Sequence, residues 1–416
     1  MKSRKISIFL IILTVISIFL EACQIDVPDK ELPDQNSELS WKWIVKPEDY
    51  EDMFFADEDL IAVKNSNQKY GIINMQGEME IPFEYDNISR FHDGISAVDS
   101  NGKSFYIDKE GKTITDMVFQ NTYAFQEEMG GVQNNNLWGY IDLHGNLSIE
   151  YQFEEIHLFQ EGMAAVKHNG KWGFIDKNGN LTVENGFDEV RDFNEGMAAV
   201  KIGDKWGFVD SFGNAVVNCQ YEKIHDFQEE YAAVMKDGKW GFIDKNGKVC
   251  IELQYDDVGN FSEGKAAVNI GKSEDGLGKW AYIDKKNQVV IDFYPYDAGS
   301  GCMVWVGEFQ EGMAFVSKSI YCIIDEKGEN VFSGDSKFFI SAFSYDSEYD
   351  IIPGYIFEDE AMKIRKYGLM GLDGSQRLEP VFDSIEEING RYVMIANMID
   401  GEYKKGIIEL IQEKTQ

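Results

Sequence analysis

A 34-residue unit, written four times with little change between Trp138 and Gly247, restricts the fold of this chain more than any other feature. One position of the aligned copies is always tryptophan and the next is always glycine; the tryptophans are Trp138, Trp172, Trp206 and Trp240. A fixed period of this length is typical of repeat architectures, in which each unit buries its apolar face against its neighbours. The sequence therefore predicts an array of similar units rather than a set of unrelated domains.

The alignment extends to ten units, which are regular in the middle of the chain and degenerate at both ends. Their tryptophan position holds Tyr70, Ser104, Trp138, Trp172, Trp206, Trp240, Trp280, Tyr321, Tyr367 and Lys405. Terminal units commonly depart from the pattern because one of their faces meets solvent instead of a neighbour. We accordingly assign regular repeats to residues 41–292, and degenerate repeats with insertions to residues 293–416.

Turn residues divide each unit into short apolar segments. The pair Asn169-Gly170 predicts a tight hairpin turn between two strands. Asp176 and Gly179 predict a type I turn closed by a left-handed glycine, after which a third strand begins. Residues 187–190 add a short fourth strand at the end of the unit. Each unit is therefore predicted to be an antiparallel β-meander.

These meanders place the chain in the all-β class, as tandem repeats curved into a propeller-like body. We expect the strand of small residues at 164–166 to lie on the narrow inner side, because small side chains suit a crowded axis. An open β superhelix is the alternative, since ten units of unequal length need not close into a ring. The tryptophan position is interpreted as core packing, because every unit of an array packs alike.

The first residues carry a separate signal. Residues 1–5 are basic and residues 6–20 form an almost unbroken apolar run, which predicts a secretory signal peptide over residues 1–22. The segment ending at Cys23 resembles a bacterial lipobox, and this resemblance implies that Cys23 becomes the lipidated first residue of the mature protein. Residues 23–40 then form a tether to the membrane. An uncleaved membrane anchor is the alternative; in both cases the remainder is exported to the bacterial cell envelope.

Acidic residues outnumber basic ones by 73 to 39, so the formal net charge is −34. Such a charge repels nucleic acid and anionic lipid headgroups at close range, and we exclude a DNA- or RNA-binding role. Acids also recur at one connection of the unit, for example at Glu161 and Glu195. We interpret this row as a solubilising edge rather than a calcium site, because the EF-hand loop pattern is absent.

Catalytic sequence motifs are absent: the chain has no Gly-x-Ser-x-Gly, His-Glu-x-x-His, P-loop or dinucleotide fingerprint. Ser262 and Lys265 fit a Ser-x-x-Lys spacing, but sister units place other residues in the same turn. His157 and His225 share a repeat position but lie two units apart, too far to share a metal. We therefore predict no catalytic residue, no metal site and no cofactor.

Two insertions interrupt the array, at residues 270–278 and 297–308. Loops that exceed a repeat's template commonly carry function. The second insertion holds three residues that we predict as a binding site: Ser300, Met303 and Trp305.

Four cysteines besides Cys23 are present: Cys219, Cys250, Cys302 and Cys322. They occupy different positions of the repeat, and no Cys-x-x-Cys spacing occurs, so we predict buried small side chains. A disulfide between Cys302 and Cys322 is the alternative, because exported proteins can form such bonds.

The tripeptide Lys-Trp-Gly, followed by Phe, a branched aliphatic residue and Asp, begins at Lys171, Lys205 and Lys239. With this motif the chain resembles the bacterial WG (KWG) repeat family over most of residues 50–416. The resemblance implies a β-repeat protein of the cell surface or envelope, with no assigned catalytic residues.

Together these features predict a non-enzymatic, membrane-anchored lipoprotein whose repeat surface binds a protein or a cell-envelope glycan. Two alternatives stay open. One is an envelope hydrolase that uses carboxylates near the inserted loops, since two carboxyl groups at a suitable separation can hydrolyse glycosidic bonds. The other is a purely structural spacer in the envelope.

Overall fold

The computed structural model describes residues 39–411, except residues 48, 273–277, 293–304, 318–320, 334–338, 341–349, 358–364, 373 and 400. In this part of the chain, no helix has the length and apolar character that crossing a membrane requires. The predicted signal peptide at residues 1–22, the predicted lipidation site Cys23 and nearly all of the predicted tether lie outside the described residues.

Regular structure in the described ranges consists of strands, numbered here in chain order. They are β1 (Ser40–Val45), β2 (Asp52–Phe55), β3 (Leu60–Lys64), β4 (Tyr70–Asn74), β5 (Met79–Tyr85), β6 (Asn87–Ile88), β7 (Ile95–Ser100), β8 (Lys103–Asp108), β9 (Asn121–Gln126), β10 (Met129–Asn134), β11 (Leu137–Asp142), β12 (Leu147–Phe153), β13 (Glu155–Ile156), β14 (Met163–His168), β15 (Lys171–Asp176), β16 (Leu181–Phe187), β17 (Glu189–Asn194), β18 (Met197–Ile202), β19 (Lys205–Asp210), β20 (Ala215–Tyr221), β21 (Lys223–Ile224), β22 (Tyr231–Lys236), β23 (Lys239–Asp244), β24 (Val249–Tyr255), β25 (Asp257–Ser262), β26 (Lys265–Lys272), β27 (Gly278–Asp284), β28 (Val289–Asp292), β29 (Trp305–Gln310), β30 (Met313–Ser317), β31 (Tyr321–Asp325), β32 (Asn330–Ser333), β33 (Phe339–Ile340), β34 (Ile352–Phe357), β35 (Arg365–Met370), β36 (Gln376–Phe382), β37 (Ser384–Asn389), β38 (Tyr392–Ile399) and β39 (Glu402–Ile411).

The strands form ten small antiparallel sheets, or blades. Within a blade each strand pairs with its neighbour in the chain, except that β1 pairs with β39. In chain order, blades 1 to 9 are β2–β5, β6–β8, β9–β12, β13–β16, β17–β20, β21–β24, β25–β28, β29–β32 and β33–β36, and blade 10 is β37–β39 with β1. We name the strand positions of a blade A to D. Blade 2 has three strands, and isolated bridges to Thr113 and Phe119 take the place of its D strand. The predicted all-β array of meanders is confirmed.

The first strand closes the ring, because β1 is the D strand of blade 10. It pairs with β39 from Ser40, opposite Ile411, to Val45, opposite Ile407. A strand from the start of the chain thus completes the sheet formed by its end. The array is a closed ten-bladed β-propeller, and the open superhelix is excluded.

Aromatic packing holds the closing strand against blade 9. The indole rings of Trp41 and Trp43 lie edge-on to each other, with centroids 5.2 Å apart, and pack against Phe382 of β36 at 5.6 and 6.3 Å. On the other side of the seam, Lys405 Nζ lies 2.8 Å from Asp52 Oδ1 of blade 1. Closure therefore joins blades 9, 10 and 1.

The strand that the sequence assigned to the end of each unit is the A strand of the next blade. β17 runs from Glu189 to Asn194 and pairs with β18, so the predicted fourth strand at 187–190 was placed in the wrong unit. The strand of small residues at 164–166 is also not at the inner edge. It belongs to β14, a B strand that pairs on both sides.

Both faces of the B strand are buried between neighbouring blades. Ala164 packs in the core shared by blades 3 and 4, whereas Ala165 packs in the core shared by blades 4 and 5. Small side chains allow the adjacent sheets to approach closely from both sides. The small residues predicted for the axis therefore serve the contacts between blades.

Edge-on aromatic pairs connect the C strand of one blade to the A strand of the next or to the residues just after that strand. The ring centroids lie 4.8 to 4.9 Å apart in Tyr106–Phe125, Tyr140–Phe159, Phe174–Phe193, Phe208–Phe227, Phe242–Phe261 and Tyr282–Phe309. Each such pair contributes about 0.5–1.5 kcal/mol beyond the area that it buries. Repetition of this pair explains why the period of the sequence is kept so strictly.

The tryptophan and glycine of the repeat lie on the C strand. Trp138, Trp172 and Trp240 are only 7, 8 and 6% exposed, which confirms core packing for these three, whereas Trp206 and Trp280 are half-buried at the margin of their cores. A Cβ atom on Gly173 would lie 2.6 Å from the carbonyl oxygen of Val183 on the D strand. Glycine is therefore required beside the tryptophan because the next backbone crosses there.

The lysine of the same motif holds the corner between the D strand and the next A strand. Lys171 Nζ lies 2.5 Å from Asp188 Oδ1, and Asp188 Oδ2 accepts the backbone N–H of Gly203 in the following blade. Lys239 and Asp256 repeat the ion pair two units later. The contacts within the ring therefore explain all three residues of the Lys-Trp-Gly motif.

Carboxylates join the A–B turns of successive blades. Glu161 accepts the backbone N–H groups of Glu195 and Gly196, both at 2.7 Å, and Glu195 accepts those of Glu229 and Glu230 at 2.7 and 2.9 Å. The row continues through the carboxylates of Asp93, Glu127, Glu229 and Glu263. The acids predicted to be a solubilising edge therefore also connect neighbouring blades from blade 2 to blade 8.

Glu195 illustrates the electrostatics of this row. Burial acts to raise the pKa of its carboxyl, but the backbone N–H groups of Glu230 and Glu229 and the Lys245 ammonium outweigh burial and hold the pKa below its ordinary value. A carboxyl with a depressed pKa stabilises the fold above its ordinary pKa of about 4.3. That contribution is lost as the pH falls through the folded-state pKa.

Replacing Trp43 by alanine should lower the free energy of unfolding by about 2–3 kcal/mol, less than for a fully buried tryptophan because this indole is half-buried. Urea titration of the full chain measures the loss. Lys42→Ala, which removes an exposed ion pair from the same strand, is the control and should cost less than about 1 kcal/mol. Equal losses in both variants would contradict an aromatic role in closure.

Replacing Glu195 by glutamine should lower the free energy of unfolding at pH 7 by about 1–2 kcal/mol, because an amide replaces a charged acceptor of two N–H groups. The difference from the parent should be smaller at about pH 3 than at pH 7, because it declines as the pH falls through the lowered pKa of the parent carboxyl. Urea titrations at both pH values test this, with Glu184→Gln on an exposed D strand as the control. A loss that stays constant with pH would show that the carboxylate charge is not the cause.

Candidate binding face

The A–B and C–D turns lie on one face of the ring. Lysines in C–D turns pair with glutamates in the A–B turns of the preceding blade, in Lys177–Glu127 at 3.4 Å, Lys245–Glu195 at 3.3 Å and Lys285–Glu229 at 3.2 Å. The B–C turns and the D–A corners lie on the opposite face, because neighbouring strands in each blade are antiparallel.

Acidic side chains are concentrated in the A–B turns, at Asp57, Glu58, Asp59, Asp93, Glu127, Glu128, Glu161, Glu195, Glu229, Glu230, Glu263 and Glu311. We call the surface formed by the A–B and C–D turns the acidic face. On the opposite face the corner acids are balanced by the motif lysines, as in Lys171–Asp188 and Lys239–Asp256. The acids of the described A–B turns outnumber the lysines of the C–D turns on the same face, so this face attracts partners of positive charge.

Polar side chains also link neighbouring A strands. His157 Nδ1 lies 2.6 Å from Asp192 Oδ1 of the next blade, and the Arg191 guanidinium lies 3.3 Å from Asp226. The His157 ring packs on Trp172 of its own blade, with centroids 4.8 Å apart. His157, which the sequence analysis did not assign to a metal site, therefore has a packing role. No group of three or more metal-ligating side chains occurs within the described residues.

Blade 1 departs from blades 3, 5, 7, 8 and 10 because its A strand has no bulge. In blade 5 the pairing register shifts between Val190 and Phe193, where an extra residue is inserted. In blade 1, β2 pairs with β3 without a shift from Asp52 to Phe55. Blade 1 therefore lacks a counterpart of Asp192, the residue that binds the preceding A strand.

Arg90 of blade 2 and Glu387 of blade 10 meet across the gap left in blade 1. The guanidinium donates two hydrogen bonds of 2.8 Å to the carboxylate, and this pairing raises the pKa of Arg90. Bidentate pairs of this kind have a demanding geometry. The pair therefore fixes the A strands of two blades that are not sequence neighbours.

A pocket of about 240 Å³ lies beside this pair, among the A–B turns of blades 10, 1 and 2. Phe55, Ala56 and Phe91 form its buried, apolar side, and Glu58 and His92 form its exposed side. The pocket thus combines an apolar interior with a polar rim on the acidic face, which is the usual composition of a binding site.

Asp57 lies at the rim of the pocket as the acidic partner of an ion pair. Burial acts to raise the pKa of this carboxyl, but its ion pair with Lys109 and the backbone N–H of Glu58 outweigh burial and lower the pKa. Asp57 is therefore ionised at neutral pH and neutralised by Lys109. The neighbouring Glu58 is exposed and keeps the rim acidic.

A second cavity, of about 470 Å³, lies on the opposite face at the closure seam. Trp43, Lys46, Val381 and Met398 are among its lining residues. It results from the β38–β39 hairpin, whose strands of 8 and 10 residues are longer than the 6-residue B and C strands of blade 5.

The predicted binding residues receive no test from this structure. Ser300 and Met303 lie outside the described residues, and Trp305 is described only as the first residue of β29. The two insertions that motivated the prediction fall largely in the same undescribed ranges. The pocket described above was not predicted, although its signal is present in the sequence as one extra residue between Phe55 and Leu60.

The cysteines differ from the prediction in one case. Cys322 is buried and Cys219 is half-buried, as expected for small core residues. Cys250 is exposed, because it lies on the outer D strand of blade 6 with its side chain pointing away from the core. Cys302, the predicted alternative disulfide partner of Cys322, lies outside the described residues.

Comparison with solved structures finds propellers of low sequence identity. The crystal structure of the eukaryotic initiation factor is 12% identical, covers 84% of this chain and 98% of its own, and has a TM-score of 0.48. BamB from Moraxella catarrhalis is 9% identical, covers 81% of this chain and 98% of its own, and has a TM-score of 0.30. The WD40 domain of SCAP from fission yeast is 9% identical, covers 91% of this chain and 98% of its own, and has a TM-score of 0.34. All three TM-scores are below 0.5, so the fold assignment rests on the strand order alone.

No curated protein matches this chain in sequence. The model of the WG containing repeat matches seven stretches, at residues 70–103, 105–138, 138–172, 172–206, 206–240, 240–273 and 280–319. These stretches cover more than half of the chain and coincide with the blades in which the tryptophan, glycine and lysine contacts recur. The chain belongs to the family of WG containing repeat proteins.

Proposed function

We propose that this protein is a non-enzymatic, membrane-anchored lipoprotein of the bacterial cell envelope whose acidic face binds a basic segment of a protein partner. The observation that carries the proposal is the excess of acids on one face: among the described residues, the acids of the A–B turns outnumber the lysines of the neighbouring C–D turns. A basic protein segment fits this field better than an uncharged glycan does.

The pKa values of the described acids favour binding over hydrolysis. A carboxyl that acts as general acid in glycoside hydrolysis needs a raised pKa. Where an aspartate or glutamate in the described ranges departs from its ordinary pKa, the shift is downward, as for Asp57, Glu195 and Asp383. These carboxylates are held ionised by hydrogen bonds, which suits a charged binding surface.

The lipid anchor is proposed from Cys23 and the apolar run before it. In the closed ring, β1 begins beside Ile411 at the C–D end of blade 10, so the chain enters the propeller on the acidic face. An extended chain spans at most about 3.6 Å per residue, so residues 23–39 reach no more than about 60 Å. The proposed partner segment is therefore close to the membrane.

Neutralising three acids of the acidic face should weaken binding of a labelled decalysine peptide to the full chain in detergent. We expect roughly a tenfold higher Kd for the triple variant Glu58→Gln, Asp59→Asn, Glu230→Gln, since exposed pairs contribute about 0.2–1 kcal/mol each. The triple variant Glu84→Gln, Asp204→Asn, Asp237→Asn, on the opposite face, is the control of equal charge. Equal weakening by both would mean that net charge, not the acidic face, attracts the peptide.

Replacing Cys23 by serine should abolish lipid attachment and release the protein from the membrane, because serine cannot form the thioether. Metabolic labelling with a radioactive fatty acid and membrane fractionation of an expressing bacterium measure both effects. Cys250→Ser is the matched control, since this exposed cysteine lies on the folded body. Lipid label that persists in the Cys23 variant would exclude the anchor at this position.

A further inference from the structure

The pocket at blade 1 lies where the A strand lacks a bulge and the turn after it is longer than in blade 5. In blades 3, 5, 7, 8 and 10 the pairing of the A and B strands shifts register at a bulge, as between Val258 and Phe261 in blade 7 and between Val306 and Phe309 in blade 8. In blade 1 the strand ends at Phe55 without a bulge, and the turn to Leu60 is correspondingly longer. Bulges and their loss re-aim side chains beside binding sites.

The surroundings of the pocket are held firmly in place. Phe55 is 2% and Ala56 1% exposed, and the backbone N–H of Phe91 donates to the Ala56 carbonyl at 2.8 Å. On the far wall the Arg90 guanidinium is fixed by both carboxylate oxygens of Glu387. An entering group therefore meets walls that are already ordered, which lowers the entropic cost of binding.

The charges at the mouth determine what can enter. Arg90 is neutralised by Glu387, and Asp57 is neutralised by Lys109. Glu58 remains as an exposed carboxylate, and the acidic A–B turns of blade 1 and its neighbours surround it. The field at the mouth thus repels anions and favours an apolar group with a positive charge beside it.

We propose that this pocket is the specificity site of the acidic face and holds an aromatic side chain, flanked by lysine or arginine, of the protein partner. The inference rests on the proposed function and adds the residue type that anchors the partner. A volume of about 240 Å³ suits one aromatic ring. Interfaces are commonly anchored by an aromatic residue in a desolvated pocket, with near-neutral contacts around it.

Two synthetic peptides test the proposal on the full chain in detergent: Lys-Lys-Phe-Lys-Lys and Lys-Lys-Ala-Lys-Lys. Isothermal titration measures the Kd of each at low salt. We expect the phenylalanine peptide to bind about tenfold tighter or more, because burying its ring removes apolar area from water. The alanine peptide reports the charge attraction alone.

Two variants close the pocket in different ways. Ala56→Leu fills its buried side, and Asn389→Phe covers its mouth from the half-buried rim, so the second variant is available if the first does not fold. In both, the Kd of the phenylalanine peptide should rise to that of the alanine peptide. Val381→Phe, which adds similar bulk at the cavity on the opposite face, should leave both Kd values unchanged.

The outcomes separate this inference from the proposed function. Preference for the phenylalanine peptide that disappears in the closed variants, and persists in Val381→Phe, supports the inference. Equal binding of both peptides overturns it and leaves the acidic face as a binder of basic segments. Absence of binding by either peptide overturns the proposed function, and the specificity site with it.

Discussion

Every blade of this propeller buries both faces of its sheet against its neighbours, and the other features of the ring depend on that constraint. A side chain on the B strand cannot grow without pushing two sheets apart, so alanine recurs there, as at Ala164 and Ala165. The A strand supplies one ring to the preceding blade, as Phe193 does to Phe174. Because the same contacts recur in successive units, the constraint is expressed in the sequence as a period.

Features that depend on neighbouring residues were predictable from the sequence. The hairpin turn at Asn169 and Gly170 has positive φ at both residues, as the Asn-Gly pair predicts. Asp176 likewise accepts the backbone N–H groups of Asn178 and Asn180, which explains the acid at the start of the C–D turn. These elements follow from local backbone preferences.

Features that depend on distant residues were not predictable in the same way. The pairing of Ser40 with Ile411 joins the two ends of the folded chain, and no local pattern distinguishes it from an open end. The assignment of residues 189–194 to the following blade was missed for the same reason. The carboxylate row was visible as a composition, but its hydrogen bonds reach the next unit, for example from Glu161 to Gly196.

The candidate site shows the limit of reading function from insertions. Trp305 was predicted as a binding residue because it lies in an added loop, whereas the pocket arises where the A strand of blade 1 is shorter and the following turn is longer than in blade 5. Comparing the spacing from Phe55 to Leu60 with that from Phe193 to Met197 reveals the difference, but its effect becomes clear only when Arg90 and Glu387 are seen across it. In a repeat protein, a residue moved from a strand to the following turn is as informative as an added loop.

The closing strand also determines how the ring responds to mechanical force. β1 starts on the acidic face, and its pairing with β39 runs from Ser40 to Val45. Tension applied to the chain ahead of Ser40 pulls the strand along its own length, so its hydrogen bonds to β39 are loaded together in shear instead of breaking one after another. The strand that completes blade 10 therefore also transmits tension from the N-terminal side of the chain to the ring.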